Sequence, residues 1–572
     1  MFLRRRRITE MWQHNYEPIG GSLAASALVA AVPIIVLFLM LGVLRKPSWL
    51  SALTALASGL LVSLVAYGMP VSLALVSVIY GAAYGMFPIA WVVFSSIMLY
   101  RLVVDTGKFE IIKNSVGGLT DDRRLQAMFI AFSFGAFIEG AAGFGAPVAV
   151  AGAMLAGLGF DPFYAAGICL LANTAPVAFG SIGTPIITLA AVTGLPIQAL
   201  SSMVGRLCAT ISVFIPAYLL FVMVGRKRAL EVLPAIIACG VSFAGMQLLV
   251  SNFVGAELTD IVSSLTCIIV MIAVLKLWKP ASIMRLEHDK PGHTAATQHT
   301  GRELALAWLP YLLLVIYVLA WGEPAIKKAI DTWTNGLLTS ALSAANLSGL
   351  NGIAVPGLHN LIQRVPPVTA APSPYAAVFT FNWLSASGTA CLLATITSAL
   401  FLGLGPGPVV KAYKDTFKQL SFAMITIAGM LGLAYLMNYS GMTSTLGLAL
   451  ASTGRAFPFF SAVVGWMGVF LTGSDTSANA LFGNLQVVTA NALGLSPVLT
   501  ASVNSAAGVM GKMISIQSIA VAVAATGMTA ADESRLFRFT IKHSIVLMAA
   551  MGVLSMLFAY VFPHWVPALP PK

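Results

Sequence analysis

Charge is what this chain lacks. Only 9% of its 572 residues are Asp, Glu, Lys or Arg, while 58% are hydrophobic and the mean hydropathy is +0.89. Soluble domains carry about 25% charged residues, so the composition excludes a soluble module and leaves a polytopic membrane protein. Cysteine is equally sparse. Cys169, Cys208, Cys239, Cys267 and Cys391 lie in apolar runs without CxxC pairing, which speaks against a disulfide framework or a metal site and for small core residues. His288, His293 and His299 share a hydrophilic loop but have no metal-ligand spacing. The sequence has no ATP-binding motif, no nucleophile–base arrangement and no soluble catalytic domain, so an intramembrane enzyme and a self-contained primary pump are both disfavoured. It also has no cleavable signal peptide; the run 23–44 is long enough to be a true span. The net charge of +12 is mostly loop Lys and Arg and does not form an aromatic-basic nucleic-acid surface.

Long apolar runs are what the chain has. A span needs about 20 mostly apolar residues, and candidates lie at 23–44, 48–68, 204–224, 231–253, 257–277, 304–321, 375–402, 419–438, 457–473 and 541–562. The runs 71–104, 126–205 and 457–530 are too long for one crossing and should hold extra helices, re-entrant or interrupted where Gly, Pro, Asn and Ser collect. The expected fold is all-α, with about 12–14 transmembrane helices in two inverted repeats, each holding an interrupted or re-entrant segment. The chain then divides into a tail (1–22), a first transmembrane half (23–277, motif region 126–205), a cytoplasmic loop (278–303), a second half (304–562, motif region 457–530) and a tail (563–572). An outer connection at 322–374, rich in proline, is expected to lay short helices over the bundle.

Basic residues cluster at 45–46, 101–124, 226–228, 276–302, 411–418 and 535–542, and the connections 68–70, 252–257 and 438–443 carry none. The positive-inside rule places the clusters in the cytoplasm and both termini outside. Arg4 to Arg7 conflict with that, so the expectation is that translation starts at Met11 and residues 1–10 are an extension.

Glu139 stands alone in a stretch, 131–157, that is otherwise apolar, aromatic or glycine. A carboxylate in a bilayer costs a few kcal/mol or more unless it is protonated, paired or facing water. Its Gly-Ala-Pro surroundings suit broken backbone, not a straight lipid-facing helix. An intramembrane acid among helix breakers points to transport or proton relay. The second half carries a similar order of elements. Glu139, LGFDP at 158–162 and Asn173-Thr174 are matched by Asp475, LGLSP at 493–497 and Asn504-Ser505. Corresponding interrupted segments in two halves are expected where a transport site lies at a repeat interface.

At these residues the chain resembles the lactate permease family. The resemblance rests on EGAAGFGAPVA (139–149), NTAPVAFGSIGTPI (173–186), FLTGSDTSANALF (470–482) and GKMISIQSIA (511–520), with further matches at 11–18, 80–91 and 536–544. It covers essentially the whole chain from Met11. It implies uptake of L-lactate, D-lactate and glycolate by proton symport across the bacterial inner membrane, with the proton gradient as driver and no cofactor. The implied partners are a small monocarboxylate, protons and the lipid bilayer, with no nucleic acid. It also implies membership of a wider ion-transporter superfamily in which substrate lies between two re-entrant hairpins.

A small hydroxy acid needs donors for its carboxylate, a partner for its hydroxyl and, for coupling, a group that titrates. Lys512, alone in an otherwise uncharged run, is the candidate cation; the alternative is that it neutralises Glu139 or Asp475. Glu139 and Asp475 are the proton-coupling candidates, and Asp475 has a second reading as a helix cap. Asn173, Thr174, Asn504 and Ser505 are expected at the tips of interrupted segments, with Ser474 beside them, against the alternative of helix–helix hydrogen bonding. Gly140, Gly143, Gly145, Pro147, Pro176 and Pro185 are read as enabling the backbone. Arg206 snorkels to the interface, and Tyr80, Tyr84, Phe87 and Trp91 pack helices. An Na⁺-coupled carboxylate carrier and a passive monocarboxylate channel remain as alternatives.

Overall fold

The computed structural model describes residues 11–117, 119–143, 145–285, 299–339 and 349–569. The arginines at 4–7, and His288 and His293, fall outside them. In hydrocarbon every backbone polar group must be satisfied internally, and the chain meets this with helices. Among the described residues ten are long and apolar enough to cross a bilayer, or up to twelve if each of two bent pairs is one span, at the lower end of the expected number.

Three expectations need correction. The run 71–104 holds the expected interruption but no second crossing: Val71–Asp105 is one span whose helices Val71–Tyr84 and Trp91–Asp105 are parted at Phe87, where a φ of −142° breaks the spiral before Pro88. The span expected at 375–402 begins only at Ser387, because 375–386 belongs to an outer layer. That layer was expected to be helical. Among its described residues it holds one amphipathic helix, Pro324–Leu337, and short strands. Ile362–Arg364 pairs in parallel with Trp12–Gln13 and antiparallel with Ser373–Pro374, and Ile353–Ala354 pairs with Val378–Phe379. Prolines 366, 367, 372 and 374 suit such edges and turns better than helices.

The two motif regions share one order of elements. In the first, a helix over 123–141 turns back through Ala146–Gly157, and a bent pair, Pro162–Ala172 and Val177–Thr193, follows at 63°. In the second, Phe457–Thr472 turns back through Asp475–Leu493, and the pair Pro497–Lys512 and Ile516–Ala525 bends by 40°. The last helix, Glu533–Tyr560, fixes their relative direction. At about 1.5 Å per residue it is long enough to cross the bilayer. Near its start Arg535 stacks on Phe163, at the base of the first helix–turn–helix; at its end Tyr560 donates to the Arg455 carbonyl, at the base of the second. The two therefore enter from opposite faces, and their tips meet inside the bundle.

The first base lies on the face that carries the basic clusters. There the Arg124 guanidinium is closed in by Asp122, Glu231 and the carbonyls of Arg228 and Ser282. The first strand and the end of the last helix lie at the other face, where His14 meets the Tyr439 carbonyl at 2.9 Å and Thr445 donates to the Tyr16 carbonyl. Tyr80, Tyr84, Tyr435 and Tyr439 pack together, as expected of helix-packing aromatics. All five cysteines are free and buried.

Candidate functional site

The first tip is built by glycine. Helix 123–141 stops because Gly143 (φ +62°) and Gly145 (φ +83°) turn the chain, and Pro147 starts the return helix in its first turn. Glu139 sits just before that turn and is 2% exposed. Beside it the first bent pair comes apart over 173–183. Asn173 closes the incoming helix, Pro176 precedes one 3₁₀ turn at Val177–Phe179, and then Ser181, Ile182 and Gly183 are left-handed in succession (φ 46°, 57° and 69°). A left-handed β-branched residue such as Ile182 is costly and persists only where its surroundings hold it. Here Ser181 Oγ donates to the Ala142 carbonyl at 2.7 Å, tying break to tip, and Thr184 closes on the Ser181 carbonyl at 2.6 Å. A methyl group on Gly180 would stand 2.5 Å from Glu139 Oε1, and one on Gly143 would collide with Ser181 Oγ.

The second tip is tighter. Gly473 (φ +70°) and Ser474 make the whole turn, and Ser474 Oγ accepts from the Ser477 amide. The capping role considered for Asp475 therefore belongs to Ser474, and Asp475 occupies the first turn of the helix. Its Oδ2 accepts from Ser505 Oγ at 2.6 Å and from Asn479 at 3.4 Å. Asn479 also reaches the Pro185 carbonyl, Asn504 donates to Asn479 Oδ1 at 3.0 Å, and Gln486 donates to Asn504 Oδ1. Asn504 and Ser505 were expected at the tip of a break. Instead they lie inside the continuous helix Pro497–Lys512, where their side chains join helices behind Asp475. The matching to Asn173-Thr174 failed because residue identity carries no information on where the helix ends. The break comes later, at 513–515, right after Lys512.

Lys512 reaches across to the first half, and its Nζ lies 2.9 Å from Glu139 Oε1. Both tips and both breaks line one cavity of about 520 Å³, within the roughly 300–1,000 Å³ of small-molecule sites. Among its lining residues Lys512 is the one cation and Glu139 and Asp475 are the acids, with Ser181, Ser474, Gln517 and Ser518 among the neutral polar groups. Ser515 caps Ile516–Ala525, so the positive end of that ten-residue helix also faces the cavity. Among the described residues Glu139 Oε2 and Asp475 Oδ1 have no hydrogen-bond partner. The Asn173 amide is buried and likewise without a partner, while Thr174 donates back to the Leu171 carbonyl; neither residue lines the cavity. Pro185 lines it, as do Gly143 and Gly145, whereas Gly140, Pro147 and Pro176 lie behind. Arg206 stays at the outer end, with Asn252 and the Trp565 carbonyl.

Sequence reasoning passed over Gly180, Ser181, Gln517 and Ser518, which follow breaks within motifs already noted. It also passed over Asp260, which is 1% exposed and packs against Gly140. The signal for Asp260 was an acid followed by a long apolar run, hidden by its place, with Glu257, at the start of a span.

Comparison with known proteins places this architecture. The family model described as L-lactate permease matches residues 26–562. The L-lactate permease of Bacillus subtilis is 47% identical over 97% of this chain and 100% of its own length. In Escherichia coli, L-lactate permease is 43% identical (97% of this chain, 100% of that one), and glycolate permease GlcA is 43% identical (96% and 98%). A family model spanning nearly the whole chain, and relatives this similar along their full length, make this membrane transporter a member of the L-lactate permease family.

Proposed function

We propose that the protein takes up L-lactate, D-lactate and glycolate across the inner membrane by proton symport, with the basic face in the cytoplasm and both termini outside. The substrate class follows the names of the full-length relatives. The coupling rests on one observation: among the described residues the cavity has one lysine, and it is already paired with a buried acid whose second oxygen has no partner. A cavity with one cation and two carboxylates is not a site for a third negative charge until protons arrive. A proton on Glu139 removes the counter-ion of Lys512 and leaves the ammonium to the substrate carboxylate. The amides at the start of Ile516–Ala525 and the Ser518 hydroxyl assist as donors. Asp475 Oδ1 accepts the substrate hydroxyl or a second proton. On the cytoplasmic side the substrate leaves, Glu139 loses its proton and the ion pair re-forms. No cofactor enters this cycle.

The test is labelled lactate uptake into proteoliposomes of the purified protein, with an inward proton gradient in Na⁺-free buffer. Accumulation above equilibrium that a protonophore abolishes is the expected result. Equilibration without accumulation would overturn it; restoration by added Na⁺ would then identify an Na⁺-coupled carrier, and no effect of Na⁺ a channel.

A further inference from the structure

Behind the cavity a third acid is buried without an assigned task. The turn between Leu233–Phe253 and Thr259–Leu277 runs in from the face opposite the basic clusters and carries Glu257 and Asp260. Its backbone at Ala256 packs on Gly183 of the first break, and Asp260 packs on Gly140, the residue after Glu139; a methyl group on Gly140 would stand 2.8 Å from Asp260 Cβ. Asp260 does not line the cavity, and among the described residues neither of its carboxylate oxygens has a hydrogen-bond partner. Its place in the first turn of a helix is favourable for an anion, yet no helix amide donates to it. Glu139 on helix 123–141, Lys512 on Pro497–Lys512 and Cys208 on the helix Ile197–Leu230 are the groups within its electrostatic reach. Glu257, three residues earlier, is half-buried and accepts from Ser387 Oγ at 3.3 Å.

We propose that Asp260 hands the coupling proton to Glu139 from the outer face, with Glu257 at the mouth, along a route separate from the substrate cavity. In the transfer the O–H bond of the Asp260 carboxylic acid breaks and a new one forms at Glu139 Oε2, the oxygen that Lys512 leaves free. The Asp260 carboxylate regains its proton from outside water by way of the Glu257 carboxyl group. Among the described residues an ionised Asp260 has no hydrogen-bond donor, and Lys512, the cation within its reach, is already paired with Glu139. Such a state costs several kcal/mol in a bilayer, so the negative charge passes through this position without residing there. The route rests on the proton-symport reading and says by which residues the proton arrives.

The experiment compares wild type, Asp260→Asn, Asp260→Glu and Glu257→Gln in proteoliposomes, measuring lactate–lactate exchange and accumulation driven by an acid exterior. Asp260→Asn should keep exchange and lose roughly tenfold or more of the proton-driven rate; Asp260→Glu should restore it. Glu257→Gln should shift the dependence of uptake on outer pH while exchange stays as in wild type. A wild type that does not accumulate lactate refutes the symport reading itself. A proton-driven wild type with a fully active Asp260→Asn, or an equal loss of exchange and accumulation, overturns only the Asp260 route. If Asp260→Asn does not fold, Glu257→Gln decides, and an unchanged pH profile overturns the route.

Discussion

The two tips do the same topological job with different materials. In the first half the turn takes two left-handed glycines, the break runs from 173 to 183 with three successive left-handed residues, and the acid is held by a lysine of the other half. In the second half one glycine and a capping serine make the turn, the break spans only 513–515, and the acid is held by Ser505 and Asn479 at the end of an amide network. In the proposed mechanism the first half supplies the acid that takes the proton, in backbone stored away from its minimum. The second supplies the cation and a fixed polar floor. A pseudo-symmetric pair divided this way brings one buried acid to one lysine instead of duplicating a site.

The comparison can be broken most severely at the lysine. Lys512→Ala removes the cation proposed to hold the substrate and leaves Glu139 without its counter-ion. The expected cost is about 2–5 kcal/mol of the kind seen when one partner of a buried pair is truncated, read as a loss of lactate affinity of roughly thirtyfold or more. Unchanged affinity would return Lys512 to a purely structural role. Gly180→Ala tests the first half's geometry, since the new methyl group must displace Glu139 Oε1. Transport should fall about tenfold for each 1.4 kcal/mol by which the pair is disturbed, while the equivalent crowding at Gly494, which has open space, should be felt only through its positive φ.

Asn504→Ala tests the floor. It leaves Gln486 and Asn479 short of partners, so thermal stability of the purified protein should drop by about 1–3 kcal/mol with lactate specificity retained; a specificity change would return Asn504 to the substrate. The smallest effect on transport is expected at the outer layer. Burial, with some help from the nearby Arg364 charge, lowers the His14 pKa from 6.5 to about 4 despite the bond to the Tyr439 carbonyl. The folded layer therefore holds neutral His14 where the unfolded chain takes up a proton. This contribution is complete above pH 6.5 and is lost as pH falls from 6.5 toward 4, by about 1.4 kcal/mol per pH unit at most. Proteolysis of the N-terminal segment should accelerate over that window, and His14→Gln should flatten the dependence.

Much of this was legible in sequence because a bilayer punishes exceptions. Glu139 and Lys512 stood out as lone charges in apolar runs, and the structure brings them into contact. The paired breakers do not separate inverted from parallel repeats; inverted is favoured because transporters with interrupted helices often use it, and it follows from the two ends of the last helix. What was not legible depended on contacts between distant segments. Asp260 is ordinary at the end of a span until Gly140 lets it reach Glu139's neighbourhood, and Gly180 reads as a hinge until Glu139 Oε1 lies against it. Asn504 looked like a tip residue because Asn-Ser resembles Asn-Thr, yet nothing local broke its helix. The strands at 353–379 escaped notice because strands of two or three residues have no period to detect.

The most direct test of the central claim is lactate affinity as a function of pH in wild type and in Glu139→Gln. If a proton on Glu139 is what frees Lys512, wild-type affinity weakens as pH rises, approaching tenfold per unit, and Glu139→Gln binds with an affinity that no longer follows this trend. An identical pH dependence in the two proteins would contradict the account and remove Glu139 as the coupling group.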